Sequence, residues 1–84
     1  MIYSVYVLQS EMDHSYYIGQ SANYKSRVWE HNHGNTNYTK KKRPWVLVYT
    51  EEYKTRGEAV KRERYLKRIK NKKYLEKIIK GEGP

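Results

Sequence analysis

The chain has no cysteine, so neither a disulfide nor a thiolate zinc site can hold it together, and its fold must rest on packing alone. Phenylalanine is absent too; ten tyrosines and two tryptophans supply the rings instead. A core built from them carries hydroxyl and indole groups that need partners or water. No apolar run approaches the length of a membrane span, and the amino terminus lacks the basic-then-apolar pattern of an export signal. These absences predict a soluble, cytoplasmic protein with no membrane partner. At 84 residues there is room for one domain. Its expected extent is 1–84, with a core over about 2–70 and a closing helix over about 71–80.

Acidic side chains are also scarce, nine against eighteen Lys and Arg, for a net charge of +9. Residues 1–39 hold two basic and three acidic side chains, and residues 40–84 hold sixteen basic and six acidic. A surface so polarised suits a polyanion, because each phosphate neutralised by Lys or Arg releases a condensed counterion. A solvated basic face that aids solubility uses the same composition. Candidate nucleic-acid contacts are Lys40, Lys41, Lys42 and Arg43, then Arg62, Lys67, Arg68, Lys70, Lys72 and Lys73. They are expected to engage the phosphate backbone rather than read bases. Nothing resembles a recognition helix, and no obligate protein partner is evident.

Periodicity predicts strands over 2–8 and 16–19, with a polar connection short enough for a hairpin. A helix follows, capped by Ser21 and stopped near Gly34. Tyr24 and Val28 share its inner face, and Arg27 and His31 share a neighbouring edge at i, i+4 spacing. Residues 35–43 read as a polar, basic loop. Pro44 suits only a strand start, and residues 45–50 form a third strand. Thr55 and Glu58 are spaced as a capping box for a second helix, whose apolar contacts are Ala59, Val60, Leu66 and Ile69. A third helix over 71–80 buries Tyr74, Leu75, Ile78 and Ile79. The expected class is α+β: a small three-stranded antiparallel sheet flanked by helices, in the order β-β-α-β-α-α.

Glu63 stands out on the second helix. At 100° per residue it falls between Ala59 or Leu66 on one side and Val60 on the other, inside the apolar sector. A carboxylate there costs free energy unless something cationic meets it. An ion pair with Arg27 or Arg62 is one way to meet that need.

Val5-Tyr6-Val7 and Tyr17-Ile18-Gly19 on neighbouring strands, then Arg27, His31, Asn32 and Gly34, then Thr39, Arg43-Pro44 and Glu63, form an ordered set. In that set the chain resembles the catalytic domain of the GIY-YIG endonuclease superfamily, in particular its small stand-alone bacterial members. The "GIY" element is degenerate, with Val5 and Val7 flanking Tyr6; the "YIG" element is intact. The resemblance implies a metal-dependent hydrolysis of DNA phosphodiesters, in a repair or processing setting. It implies that Glu63 is the sole protein ligand of one divalent ion, Mg2+ or Mn2+, an arrangement a hard, hydrated cation accepts.

The remaining candidates suit the same chemistry. Arg27 offers a planar fork for two phosphate oxygens. Tyr6 is placed to act on the attacking water, as general base or as the group that orients it. A phenolate there needs positive charge from the metal or Arg27. Tyr17 partners it, and His31 binds phosphate or relays a proton. His14 and His33 have no second ligand set and are left out. The family's downstream asparagine has only Asn71 as a counterpart, too near Glu63 in sequence to be assigned. The alternative to an enzyme is a non-catalytic nucleic-acid-binding module with the same fold and basic face.

Overall fold

The computed structural model of the protein describes residues 1–34, 37–69 and 71–81. Strands β1 (Tyr3–Ser10), β2 (Tyr16–Ser21) and β3 (Trp45–Tyr53) form an antiparallel sheet in the order β2-β1-β3. The helices are α1 (Tyr24–Asn32), α2 (Asn37–Lys40), α3 (Arg56–Arg68) and α4 (Lys72–Ile79). The α+β class is the one expected. The expected order of strands and helices holds once α2, a single turn of four residues, is added inside the segment read as a loop.

Because β1 is central, it is covered on both faces. Val5 and Val7 join Ile18, Ala59, Leu66, Leu75 and Ile78 in one cluster beneath α3 and α4. Tyr6, Leu8 and Trp45 form a second cluster with Tyr17, Tyr24 and Val28 on the α1 side. Alternation along the strand produces this division, since successive side chains leave opposite faces. Each Val or Leu buried in this way contributes about 1.5–3 kcal/mol. Of the apolar contacts expected on the helices, Tyr24 and Val28, then Ala59, Leu66 and Ile69, then Tyr74, Leu75, Ile78 and Ile79 pack in these clusters, while Val60 is in neither.

Among the boundaries that differ from those expected, those of β2, α1 and β3 bear on the site. β2 runs on to Ser21, which still pairs with Ser4, so the helix cannot begin there. Asn23 caps α1 instead, accepting from the Ser26 amide at 3.2 Å, while Ser21 Oγ accepts from the Asn23 amide at 2.9 Å. β3 extends three residues beyond the expected end, because Glu51 and Tyr53 continue the alternation of Tyr49. Glu51 accepts from Arg62 Nε and Nη2 at 2.9 and 3.0 Å, from the Tyr53 hydroxyl at 2.6 Å and from the Tyr49 hydroxyl. These bonds tie α3 to β3. Burial alone would raise the Glu51 pKa, but Arg62 and the two phenols hold it below the usual carboxylate range.

Thr55 caps α3 from the expected position, its Oγ1 accepting from the Glu58 amide at 3.2 Å while its hydroxyl donates to Glu58 Oε1 at 2.9 Å. Gly34 ends α1 with a φ of +76°, a left-handed conformation glycine adopts without steric penalty. No helix among the described residues is long and apolar enough to cross a membrane.

Candidate active site

Tyr6 on β1 lies directly opposite Gly19 on β2. Its ring crosses the neighbouring strand, and a Cβ at position 19 would sit 2.5 Å from the Tyr6 hydroxyl and 2.6 Å from Cζ. The glycine of Tyr17-Ile18-Gly19 is therefore the space the Tyr6 ring occupies. Two residues earlier on the same face, Tyr17 brings its ring to 6.4 Å from that of Tyr6. His31 from α1 completes the group, with ring centroids 4.5 Å from Tyr17 and 6.4 Å from Tyr6.

His31 is 3% exposed, so it is a buried group rather than one displayed on the helix surface. Its Nδ1 lies 2.9 Å from the hydroxyl of Thr39, a fully buried residue of α2. The Thr39 carbonyl accepts from Trp45 Nε1 at 2.9 Å, and Asn32 exchanges two hydrogen bonds with the Trp45 backbone at 2.6 and 3.0 Å. The end of α1, α2 and the start of β3 are thereby locked around the imidazole. Burial pushes the His31 pKa down and Arg27 acts in the same direction, with Glu30 opposing, so the ring is neutral at pH 7.

Tyr6 is 3% exposed. Burial, then the neighbouring Tyr17, push its pKa well above that of an ordinary phenol, and Arg27 offsets only part of this. The protein's own cations thus do not favour a phenolate. Tyr6 is a neutral phenol that can both donate and accept a hydrogen bond.

Arg27 and Glu63 approach the same space from different helices. Arg27 is held by Glu30 at 2.9 Å, a bond that raises its pKa further. Glu63 is 19% exposed at its side chain and pairs with Lys67 at 3.1 Å, one turn further along α3. This corrects the expected partners: Arg27 is taken by Glu30, Arg62 by Glu51, and Glu63 by Lys67. Tyr6, Tyr17, Arg27, His31 and Glu63 nevertheless line one concavity of about 220 Å3, together with Gly19, Gln20 and Glu30. It lies at the β2 edge, since its walls come from helices on both faces of the sheet.

The residues present fit a hard divalent cation. Glu63 offers a carboxylate in the wall, and the nearby Gln20 Oε1 is buried with no hydrogen-bond partner. Among the described residues no group of three or more His, Cys, Asp or Glu side chains converges. An ion would rest on one carboxylate, with water and phosphate completing its shell.

The predicted basic contacts divide. Lys40, Lys41 and Arg68 are exposed, as are Lys72 and Lys73, and the first two follow directly on Thr39. Lys42 pairs with Asp13 at 3.2 Å, and Arg43 Nε donates to the Lys40 carbonyl at 3.0 Å. Lys70 lies outside the described residues. Asn71 caps α4, accepting from the amides of Lys73 and Tyr74 at 3.0 and 3.4 Å. His33 stacks on Trp29 at 3.8 Å, and neither it nor His14 lines the concavity. Sequence reasoning missed Gly19 as the space for Tyr6, Gln20 and Glu30 in the wall, Thr39 as the buried partner of His31, and Lys67 as the partner of Glu63. Glu30 and Lys67 were open to discovery through their i+3 and i+4 spacing.

Paired strand tyrosines, a helical arginine and a carboxylate from a later helix define a GIY-YIG domain. A family model described as the GIY-YIG catalytic domain matches residues 2–77, and the chain belongs to this nuclease family. Its relatives include small proteins called UPF0213. One from Staphylococcus epidermidis is 40% identical over 78 residues, covering 92% of this chain and 94% of the relative. Another, from Staphylococcus aureus, is 41% identical over 75 residues, covering 88% and 90%. The solution NMR structure of a UPF0213 protein from Bacillus halodurans superposes with a TM-score of 0.62 at 27% identity, covering 99% of this chain and 87% of that one.

Proposed function

We propose that the chain, acting as one domain in the cytoplasm, hydrolyses phosphodiester bonds of DNA with one divalent ion, Mg2+ or Mn2+. The observation that carries this reading is the convergence of Tyr6, Tyr17, Arg27, His31 and Glu63 on one concavity. Arg27 exchanges Glu30 for two oxygens of the scissile phosphate, which its planar fork matches. Tyr6 and Tyr17 orient the attacking water. When His31 Nδ1–H donates to Thr39, Nε2 is left to accept the proton that water loses, directly or through Tyr6, while the bond from phosphorus to the departing sugar oxygen breaks and that oxygen takes a proton from solvent. General-base assistance of this kind contributes about 10²–10⁴-fold. Glu63 would hold the ion, which when bound stabilises charge on the phosphoryl oxygens. Exposed Lys40 and Lys41, next to Thr39, and Arg68 carry the flanking backbone.

The test is nicking of supercoiled plasmid and of branched or single-stranded DNA in Mg2+ or Mn2+. Glu63→Ala abolishes cutting and leaves binding largely intact. A wild-type protein that binds these substrates but cuts none ends the enzyme reading.

A second reading, a non-catalytic nucleic-acid-binding module, has the Glu63–Lys67 pair in its favour, because that carboxylate already has a cation. Under it, Lys40→Ala and Lys41→Ala weaken binding and flatten its salt dependence by about 0.9 for each phosphate that is no longer neutralised. Substitution of Tyr6 or Glu63 then alters stability alone.

A further inference from the structure

A second cavity, of about 370 Å3, opens beside the first. Buried Leu66, Leu75 and Ile18 line it, the half-buried Tyr16 packs on the same face of the sheet, and Tyr17 borders it from the adjoining position of β2. The two cavities share Tyr17, and Lys67 marks the divide: it lines this groove while its ammonium reaches Glu63 in the other. Lys72 adds charge at the rim, with Nζ 5.7 Å from the Tyr16 ring centroid. An apolar lining, the Tyr16 ring and two lysines suit a flat uncharged ring carried on an anionic backbone.

We infer that this groove receives one unpaired nucleobase adjoining the phosphate held at Arg27 and Glu63. The inference rests on the proposed function, since that phosphate anchors the strand. Tyr17 lines both cavities, so a strand leaving the first concavity past Tyr17 comes next to the groove. A base paired within a duplex cannot enter, because its faces are covered by its neighbours. The groove therefore selects a substrate class: single strands, flaps, bulges or branch points with an extrudable nucleotide, over intact duplex.

The test uses Glu63→Gln protein, so that binding is read without cleavage. Fluorescence anisotropy is measured with a single-stranded oligonucleotide, with its duplex, and with a series carrying one abasic site at each successive position. Tighter binding to the single strand is expected, with one abasic position weakening it about five- to 150-fold, the range for one stacked base. Tyr16→Leu, which keeps an apolar side chain against the core, removes the abasic effect and leaves duplex affinity unchanged. A flat abasic series in a protein whose wild type cuts DNA overturns the groove assignment alone. A protein that binds no nucleic acid overturns both readings. A dimer that Tyr16→Leu dissolves, with a flat abasic series, gives the groove to a second copy and also overturns the assignment.

Discussion

Gly19→Ala isolates the close approach on which the site depends. The backbone at Gly19 does not lie in the left-handed region, so alanine meets no conformational penalty there and the effect comes from space alone. The added methyl would stand 2.5 Å from the Tyr6 hydroxyl, 2.6 Å from Cζ and 3.2 Å from Cε1. Carbon atoms settle at about 3.5–4.0 Å, so the ring must retreat by about 1 Å or the strands must part. Tyr6 is packed with Leu8 and Trp45 and has little room to retreat. Overpacking of this kind costs about 1–3 kcal/mol, offset by about 0.4–1 kcal/mol from the reduced freedom of the unfolded chain. A net loss of about 1–2 kcal/mol is expected, read as a lower urea midpoint and a Tm drop of about 4–8 °C per kcal/mol. Displacing the hydroxyl by about 1 Å lowers cleavage about 100-fold. Tyr6→Leu removes the colliding atoms, so Gly19→Ala costs less in that background, with a coupling of about 0.5–3 kcal/mol. Unchanged Tyr6 ring resonances and an unchanged urea midpoint in Gly19→Ala, or strict additivity in the cycle, would refute the reasoning.

Glu51→Gln removes the charge from a carboxylate that accepts from Arg62, Tyr49 and Tyr53. Breaking a buried pair costs about 3–5 kcal/mol; with Arg62 30% exposed the expected loss is nearer about 2 kcal/mol in urea unfolding. The folded-state pKa of Glu51 is depressed, so its contribution is full above the unfolded value and lost as pH falls through the folded one. The variant accordingly shows a shallower acid limb. His31 is also depressed, so the unfolded chain binds its proton first, and stability falls as pH drops below about 6.5. His31→Gln removes up to about 1.4 kcal/mol per pH unit from that slope, measured as the urea midpoint between pH 5 and 7. Lys67→Met frees the Glu63 carboxylate of its partner at 3.1 Å. Since such pairs are worth about 0–1 kcal/mol, Mn2+ binding measured by electron paramagnetic resonance tightens by no more than about five-fold.

Much of this arrangement was legible in the sequence, because it follows from short-range periodicity. Val5 and Val7 alternate with Tyr6 and Leu8, and that alone assigns them to opposite faces of a strand buried on both. Tyr24 and Val28, or Leu75 and Ile78, follow helical spacing as directly. The start of α1 was not legible, because Ser21 and Asn23 are both good caps. The choice between them was made by the pairing of Ser21 with Ser4 on another strand. Thr39 lay in a segment whose polarity reads as loop, and its burial comes from His31 and Trp45, elements that precede and follow it. Gly19 could be read as part of a motif, yet its physical purpose needed the register that sets it opposite Tyr6.

The partners of the charged residues bear on why the concavity stays open. From the sequence, Glu63 and Arg27 were candidates for a direct bridge, and such a bridge would fill the space between them. Each is instead held on its own helix, Arg27 by Glu30 at i+3 and Glu63 by Lys67 at i+4. The side chains of Arg27 and Lys67 are 54% and 53% exposed, so each pair is weak, worth about 0–1 kcal/mol. Under the proposed function, weak local pairs have two consequences for a site that would take a phosphate and a cation. They keep guanidinium and carboxylate from collapsing onto each other while no ligand is present. They also yield at small cost, Glu30 to the phosphate and Lys67 to the cation, so that little of the binding free energy is lost in opening the site. A stronger, buried bridge across the concavity would have to be broken at about 3–5 kcal/mol before either ligand could enter. Helix spacing, rather than any feature of the sheet, therefore holds Arg27 and Glu63 apart.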